Sequence, residues 1–287
     1  MIRVRATTIG VLLMIAMVLA ACSTSTATST TGAGASSPSG STLDRIKKTG
    51  ILRDCIDPEF PPEIFNDKSG NPTGLDIDLI QEMAKALNAK VEYVKTDFAG
   101  LIAGLQANKC DIELSGTTPR AKRALAATFA KDYLVAIVGA VVRGDYQKTS
   151  MAQLNDPSVR FCDQEATLAQ FAQETYFPKA KAVNLKGADE CFLQVLGGQA
   201  DITITDSNVA FGFTTAHPQL KAILMENGGL AASPSAPAVQ LGDYGFKFWI
   251  DVWLREFIDN GNYAPIYKKY FGVFPDIQQL LIQRGGL

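Results

Sequence analysis

Charged side chains occur at two places in the sequence where they could bind a small ion or zwitterion. Arg120 and Arg123 follow a Gly-Thr-Thr-Pro turn, and the planar guanidinium of arginine can bind both oxygens of a carboxylate. Asp206 follows a threonine-rich segment, 201–205, with the composition of a strand. Because α/β proteins bind ligands at the carboxyl ends of strands, Asp206 could hold an ammonium group there. The alternative roles are structural, namely a surface arginine at the start of a helix and an aspartate that caps one.

Residue types needed for several other chemistries are scarce. His217 is the single histidine, and it lies in a Thr-Ala-His-Pro-Gln segment typical of a surface turn. The chain has no Cys-x-x-Cys pair, so the sequence argues against a zinc site and against a histidine-based catalytic triad. It carries 27 basic and 29 acidic residues without a basic cluster, which argues against nucleic-acid binding. We expect no metal and no cofactor.

The N-terminus has the pattern of an export signal. Arg3 and Arg5 precede a short apolar run, 11–20, that is too short to span a bilayer comfortably. The run ends in Leu-Ala-Ala-Cys22, which resembles the bacterial lipobox. We expect 1–21 to be a lipoprotein signal peptide and Cys22 to carry the lipid that holds the protein at a membrane. An ordinary signal peptide with a cysteine near its cleavage site is the alternative.

The next segment, 22–42, predicts a tether. After the cysteine it consists almost entirely of Ser, Thr, Ala and Gly, with one proline and no charge. Such a segment buries too little apolar surface to offset the entropy lost on ordering. The globular part is therefore expected to begin near Leu43.

Hydrophobic periodicity in the rest of the chain alternates between strand and helix. This alternation predicts parallel sheets covered by helices, and it restarts after the extended run 133–142, which indicates two lobes. The predicted strands are 50–56, 91–94, 111–115, 159–162, 181–185 and 201–205. The predicted helices are 76–87, 101–106, 168–174, 188–196, 246–260 and 265–270.

Five motifs resemble those of family 3 extracellular solute-binding proteins. They are the Gly-Leu-Asp-Ile-Asp run of 74–87, Asp57 followed by Pro61-Pro62, the loop 116–123, the strand 200–206 and the C-terminal helix 261–272. The resemblance implies an α/β fold of the type II periplasmic-binding-protein kind. Two lobes, each a mostly parallel sheet flanked by helices, would be joined by two hinge strands. Lobe 1 would comprise 43–136 and 238–287, and lobe 2 would comprise 137–237.

The same resemblance assigns residues to an α-amino acid ligand. Arg123 has the family spacing for the carboxylate-binding arginine, although a shifted loop could use Arg120 instead. Thr118 and Thr167 would add hydroxyls beside the carboxylate, and Asp206 would bind the ammonium. The full implied set is Asp57, Phe60, Phe98, Ser115, Gly116, Thr118, Arg123, Thr167 and Asp206.

The chain departs from the family pattern in three places. Glu63 follows Pro61-Pro62 at the place where the family often has the phenylalanine of a Pro-Pro-Phe run. The lobe 2 loop 162–167 lacks the glycine that is usual there. Glu113 interrupts a strand that should be apolar on both faces. A buried carboxylate needs a partner, so Glu113 should either pair with a nearby Lys or Arg or line the pocket.

The four cysteines of the globular part allow three pairings. Cys162 ends a predicted strand and Cys191 opens the helix after the neighbouring one, so we expect a disulfide between them. Aligning Asp57 with Ser115 puts Cys55 beside Glu113. Cys110 would then lie three residues down an extended strand, roughly 10 Å away, and we expect free thiols there.

Three classes of function fit this sequence. The lipobox and the tether favour a monomeric receptor that delivers a free amino acid to the permease and ATPase subunits of an ABC importer. Cyclohexadienyl dehydratases share the implied fold, but Ala169 stands where their general-acid glutamate would lie. A sensor or receptor for another small solute is the third.

The charges of the implied site predict the kind of side chain that the ligand carries. Arg123 and Asp206 would be consumed by the ligand zwitterion, which leaves Asp57 as a surplus acid between Phe60 and Phe98. A basic or amide side chain is therefore expected. An inward Arg120 would cancel that surplus and admit an acidic ligand.

Overall fold

The structure, a computed structural model, describes residues 41–225 and 233–272. The predicted signal peptide, Cys22 and nearly all of the tether lie outside these residues, as does the end of the chain after Gly272. The helices are α1 (Thr42–Thr49), α2 (Leu75–Ala86), α3 (Gly100–Gln106), α4 (Ala121–Ala124), α5 (Met151–Leu154), α6 (Leu168–Tyr176), α7 (Ala188–Leu196), α8 (Ser207–Ala216), α9 (Tyr244–Asp259) and α10 (Tyr263–Phe271).

The strands include every one that the periodicity predicted, with ends within a few residues of the predicted ones. They are β1 (Ile51–Ile56), β2 (Glu59–Phe60), β3 (Ile64–Asn66), β4 (Pro72–Thr73), β5 (Lys90–Lys95), β6 (Ile112–Glu113), β7 (Ala127–Phe129), β8 (Leu134–Ala136), β9 (Val138–Arg143), β10 (Arg160–Gln164), β11 (Lys181–Leu185), β12 (Ile202–Asp206), β13 (Leu220–Leu224), β14 (Ser233–Ser235) and β15 (Ala238–Gln240).

The first large sheet has the strand order β5-β1-β6-β15-β7. Its strands β5, β1 and β6 are parallel, whereas β15 runs antiparallel to β6 and β7. Residues of α2, α9 and α10 pack with its buried strands into the largest apolar core, in which Leu79, Ile112 and Phe246 are almost fully buried. Burial of such side chains stabilises a lobe by about 1.5–3 kcal/mol each.

The second sheet repeats this design with the order β11-β10-β12-β9-β13. Its strands β11, β10 and β12 are parallel, and β9 is antiparallel to both β12 and β13. One apolar cluster, which contains Phe161 and Phe177, packs on α6, and another, which contains Cys191 and Phe192, packs on α7. Both faces of the sheet are therefore covered, as the sequence pattern predicted.

Two chain segments pass between the sheets. Strand β8 leads into β9 of the second sheet, and β14 leads back into β15 of the first. Strands β8 and β14 pair with each other in antiparallel fashion. This is the two-lobed α/β fold with two connecting strands that the sequence predicted, while the exact lobe boundaries at 136 and 237 stay predictions.

The cysteines form two disulfides, one expected and one not. Cys162 and Cys191 are bonded with their Cα atoms 5.2 Å apart, which confirms the first prediction. Cys55 and Cys110 are also bonded, with a Cα separation of 5.6 Å, so the prediction of free thiols was wrong. The register was right, because Cys55 does pair with Glu113. However, β6 begins only at Ile112, and the residues 107–111 before it form turns and bends instead of continuing the strand.

Gly104 allows α3 to approach the disulfide between Cys55 and Cys110 closely. A Cβ atom at this position of α3 would lie 2.5 Å from Cys55 Sγ. The helix can therefore pack directly on the disulfide only because this position lacks a side chain. The disulfide, α3 and Phe98 belong to one apolar cluster, with Phe60 packed against it.

Candidate functional site

A cleft between the two sheets collects most of the residues that the sequence predicted for the ligand. It encloses about 560 Å³, counted out to bulk solvent. Eight of the nine predicted residues line it: Phe60, Phe98, Ser115, Gly116, Thr118, Arg123, Thr167 and Asp206. Strand ends and loops of both lobes supply them, as expected for a ligand site in an α/β protein.

Arg123, on the short helix α4, is held in place by backbone carbonyls from both lobes. Its Nη1 donates to Thr118 O at 2.6 Å and its Nη2 donates to Ala166 O at 2.5 Å. Burial lowers its pKa to about 10, an effect that Glu113 opposes, so the guanidinium stays charged at neutral pH. Both bonds fix the orientation of the side chain at the cleft.

Arg120 points elsewhere. Its guanidinium stacks over the ring of Phe171, a helix α6 residue of the other lobe, at 3.9 Å from the ring centre. It is not among the residues that line the cleft. The two arginines therefore have different surroundings, and Arg123 is the one that lines the cleft.

Glu113 takes neither of the two roles expected for it. It is fully buried behind the cleft, and its Oε1 accepts hydrogen bonds from Thr117 Oγ1 at 2.6 Å and from Ser115 N at 3.1 Å. Burial raises its pKa to about 7, while Thr117 and the charge of Arg123 oppose that rise. Glu113 thus shapes the loop that presents Ser115 and Thr118, and it interacts with Arg123 only through space.

Asp206 ends β12 and occupies the position before α8. Its side chain makes no capping hydrogen bond to that helix, so the structural alternative of an N-cap is not realised. The carboxyl group lines the cleft instead. Its position therefore suits an ammonium group, whose positive charge would be paired with the carboxylate.

Two aromatic rings form an apolar wall. Phe60 and Phe98 meet edge to face with their ring centres 5.8 Å apart, and the guanidinium of Arg123 lies 5.3 Å from the centre of the Phe98 ring. The cluster around Cys55 and Cys110 supports both rings from behind. These contacts leave ring surface for the apolar part of a ligand side chain.

Ser115 and Thr167 already have hydrogen-bond partners within the protein. Ser115 Oγ accepts from Asp57 N at 3.0 Å. Thr167 Oγ1 donates to Gln164 O at 2.7 Å and accepts from Ala169 N at 3.1 Å, which caps helix α6. Both hydroxyls therefore fix loop shape at the cleft, and a direct role toward a ligand stays a prediction for each.

Asp57 does not line the cleft, which corrects its expected position. Its side chain is buried, and its Oδ2 accepts from Gln164 Nε2 at 2.9 Å. Burial, with a smaller contribution from Glu59, raises its pKa to about 7. The residue thus bridges the two lobes beside the ligand space rather than presenting a free carboxylate to it.

Sequence reasoning missed several residues of the cleft. Glu63 and Gln164 were visible as departures from the family pattern, and that irregularity was the signal that could have identified them. Ala166 stands in the glycine-free loop with a φ of 62°, a conformation that glycine would adopt without strain. The other residues that sequence reasoning missed are Leu168, Ala169, Ala188, Phe192, Thr203, Ile204 and Thr205.

The described residues contain neither a metal-binding cluster nor a membrane-spanning helix. Among 41–225 and 233–272, no group of three or more His, Cys, Asp or Glu side chains is placed to hold a metal ion. No helix in the same ranges is long and apolar enough to cross a membrane.

Comparison with known proteins identifies the family. A probable amino-acid ABC transporter-binding protein of Haemophilus influenzae is 26% identical over 236 residues, which cover 82% of this chain and 90% of that protein. Cyclohexadienyl dehydratase of Pseudomonas aeruginosa is 27% identical over 75% of this chain and 80% of its own length. The fold therefore serves both binding proteins and at least one enzyme among the relatives.

Solved structures of amino acid-binding proteins are also similar to this chain. The crystal structure of AncCDT-1, an ancestral amino acid-binding protein and precursor of cyclohexadienyl dehydratase, matches with a TM-score of 0.75 and 34% identity. It covers 80% of this chain and all of its own. A second structure of AncCDT-1, described as an ancestral cationic amino acid solute-binding protein, matches with a TM-score of 0.63. The family model for bacterial extracellular solute-binding proteins, family 3, matches residues 52–273 of the sequence. The chain belongs to that family.

Proposed function

We propose that this protein is a lipid-anchored receptor that binds an α-amino acid with a basic or amide side chain and delivers it to an ABC importer. The observation that carries the proposal is the set of charges in one cleft, where Arg123 faces the same space as Asp206 and Glu63. An amino acid enters such a site as a zwitterion, and both of its charges must find partners to offset their desolvation.

The balance of these charges favours a cationic ligand. Arg123 would bind the ligand carboxylate, and Asp206 and Glu63 would both face its ammonium group, so that the cleft, as far as it is described, has one acid more than it has cations. Arg120 does not offset it, because its guanidinium lies on Phe171. An acidic ligand side chain would meet no spare cation in the described part of the cleft, whereas an ammonium, guanidinium or amide would find an acceptor. Glu63 thus replaces Asp57 in the charge argument, and the expected ligand class is the same.

Transport of a ligand is supported better than its chemical conversion. Ala169 lies in the cleft at the position aligned with the general acid of the dehydratases, and its methyl group cannot donate a proton. The proposed anchor rests on Cys22 and the residues before it. Permease and ATPase subunits are the proposed partners, and the receptor would act outside the cytoplasm as a monomer.

Isothermal titration of the purified protein with the common amino acids tests this function. Arginine, lysine or glutamine should bind at least about tenfold more tightly than glutamate, a difference of about 1.4 kcal/mol. Any ligand that co-purifies can be identified by mass spectrometry. Preferential binding of glutamate would overturn the charge argument, and the absence of binding by every amino acid would overturn the proposed ligand class.

A further inference from the structure

Glu63 is a buried carboxyl group of the cleft. Binding of a zwitterion by Arg123 and Asp206 alone would not require it. Its side chain is 1% exposed and lines the ligand space. Among the residues that the structure describes, no hydrogen-bond partner reaches its Oε1. A buried oxygen of this kind, directed into a cavity, is suited to accept a hydrogen bond from a ligand.

The backbone holds Glu63 firmly in this position. Its N–H donates to Phe60 O at 2.8 Å, and its carbonyl accepts from Asp76 N, at the start of α2, at 3.0 Å. A Cβ atom on Gly74 would lie 2.2 Å from Glu63 O, so this packing requires the glycine. The side chain runs along the Gly116 loop, with Oε2 3.5 Å from where a Cβ atom of Gly116 would be.

The charges around Glu63 are mostly negative. Asp206, before α8, and Asp76, on α2, lie within electrostatic range of it, and Glu113 on β6 acts in turn on Asp76. The hydroxyl groups of Tyr133 and Tyr263 lie within electrostatic range, and Arg123 is the cation that lines the same cleft. Asn208 is near Glu63 and favours its ionised form, but Asn208 Nδ2 has no hydrogen bond of normal geometry among the described atoms.

These surroundings favour the neutral form of Glu63 when the cleft holds no ligand. Burial, then the charges of Asp206 and Asp76, raise its pKa well above its usual range. Two carboxylates in one desolvated site cannot both ionise without a cation between or beside them. An ammonium group supplied by a ligand would remove that obstacle.

We propose that Glu63 and Asp206 form a two-carboxylate subsite for an ammonium group of the ligand, and that Glu63 releases a proton when this group enters. The O–H bond of Glu63 breaks, its electron pair stays on the carboxylate, and the proton passes to the buffer. The inference rests on the proposed function, since it takes the ligand to be an amino acid. Glu63 is then a specificity-determining residue that favours ligands with a charged, unsubstituted amine.

The sign of the pH dependence follows from this release. Because bound ligand lowers the pKa of Glu63, binding expels protons at pH values between the bound and empty pKa values. In that interval affinity rises with pH, by up to tenfold per pH unit for one proton. Asp57 and Glu113, whose pKa values are both raised to about 7, can add to or oppose the effect, so a variant of Glu63 itself is needed to isolate it.

Titration calorimetry with L-arginine and L-glutamine in two buffers of different ionisation enthalpy measures the released protons directly. Between about pH 5.5 and about pH 7 the ligand ammonium stays charged. The wild-type protein should release up to one proton for each ligand bound, and its affinity should rise across this range. Glu63→Gln should still bind, but with little proton release and a flat pH profile. Asp132→Asn, which removes a partly buried acid outside the cleft lining whose pKa burial raises to about 6, should retain the release and serves as the control.

The outcomes separate this inference from the proposed function. Binding of neither amino acid would count against the proposed function. Binding without proton release by the wild type, or release that persists in Glu63→Gln, would overturn the inference alone. If Glu63→Gln fails to fold by circular dichroism, Glu63→Phe, which restores the aromatic residue usual in the family, replaces it and should also abolish the release.

Discussion

At the scale of single residues, the two neighbouring arginines have separable roles. Arg123 is partly buried and held by two backbone carbonyls at the cleft, whereas Arg120 stacks on a ring in the opposite lobe. Truncating one partner of a buried, hydrogen-bonded charge pair leaves the other charge without compensation and costs about 2–5 kcal/mol. A cation–π contact at an exposed ring contributes about 0.5–1 kcal/mol.

We therefore expect Arg123→Ala to weaken amino acid binding by at least about thirtyfold, which corresponds to about 2 kcal/mol. Arg120→Ala, the matched control on the same loop, should weaken it by less than about fivefold, because only a contact between the lobes is lost. Calorimetric titration of both variants checks the difference. A larger loss in Arg120→Ala than in Arg123→Ala would show that the ligand carboxylate is bound elsewhere.

At the scale of elements, a carboxylate of one lobe occupies the start of a helix in the other. Glu59 Oε2, on β2, accepts a hydrogen bond from Ala188 N, the first residue of α7, at 2.8 Å. The N-cap residue of that helix is Gly187, which has no side chain to make this bond. Glu59 therefore caps α7 across the cleft, and the positive end of the helix dipole favours its negative charge.

We expect Glu59→Ala to weaken ligand binding about five- to tenfold. Losing a helix cap costs about 1 kcal/mol, and this cap can form only when the two lobes are together. The neighbouring pair of Lys186 and Asp97 also joins the lobes, but its atoms are 3.6 Å apart and exposed. Lys186→Ala should therefore change affinity less than about threefold. Calorimetry measures both effects, and thermal unfolding without ligand shows whether Glu59→Ala also affects the folded lobes. Equal affinities of Glu59→Ala and wild type would rule out the cap as a support for closure.

Strands β1 and β10, the first parallel strand of each sheet in chain order, carry the same kinds of contact at the same spacing. Arg53 and Arg160 each bind an aspartate on a neighbouring segment, Asp111 and Asp201, with the closest guanidinium contact at 2.7 Å in both lobes. Two residues later each strand carries a cysteine of a disulfide. Two residues after that, Asp57 and Gln164 meet across the cleft. Both strands are thus anchored at their starts by ion pairs, and their ends form the contact between lobes.

At the scale of the whole molecule, Phe60 packs against the lobe 2 cluster that contains Cys191 and Phe192, and hydrogen bonds also join the lobes. The principal ones in the described residues join Arg123 to Ala166, Asp57 to Gln164 and Glu59 to Ala188. In the part of the chain that the structure describes, the segments β8–β9 and β14–β15 link the sheets. A ligand held by groups of both lobes would add the remaining free energy that favours closure, as in other hinged α/β proteins.

We expect saturating ligand to reduce the radius of gyration measured by small-angle X-ray scattering, because it shifts the population toward the closed state. Asp206→Ala should abolish this change at the same ligand concentration, since the α-ammonium loses its partner in lobe 2. A scattering profile that stays constant in the wild type at saturation would contradict closure about a hinge. Ligand should also raise the thermal midpoint of the wild type as its concentration increases.

The sequence by itself determined the alternating strands and helices, the two-lobed fold and eight of the seventeen described residues that line the cleft, because periodicity and short motifs are local properties of the chain. Only the tertiary structure decided which way Arg120 turned, that Asp57 bridges the lobes and that Glu63 enters the ligand space. It also decided the bond between Cys55 and Cys110, since a bend before Ile112 brings together positions that an extended strand would separate. These outcomes depend on how lobes and loops pack against each other, and sequence spacing does not encode the direction of a side chain across such an interface.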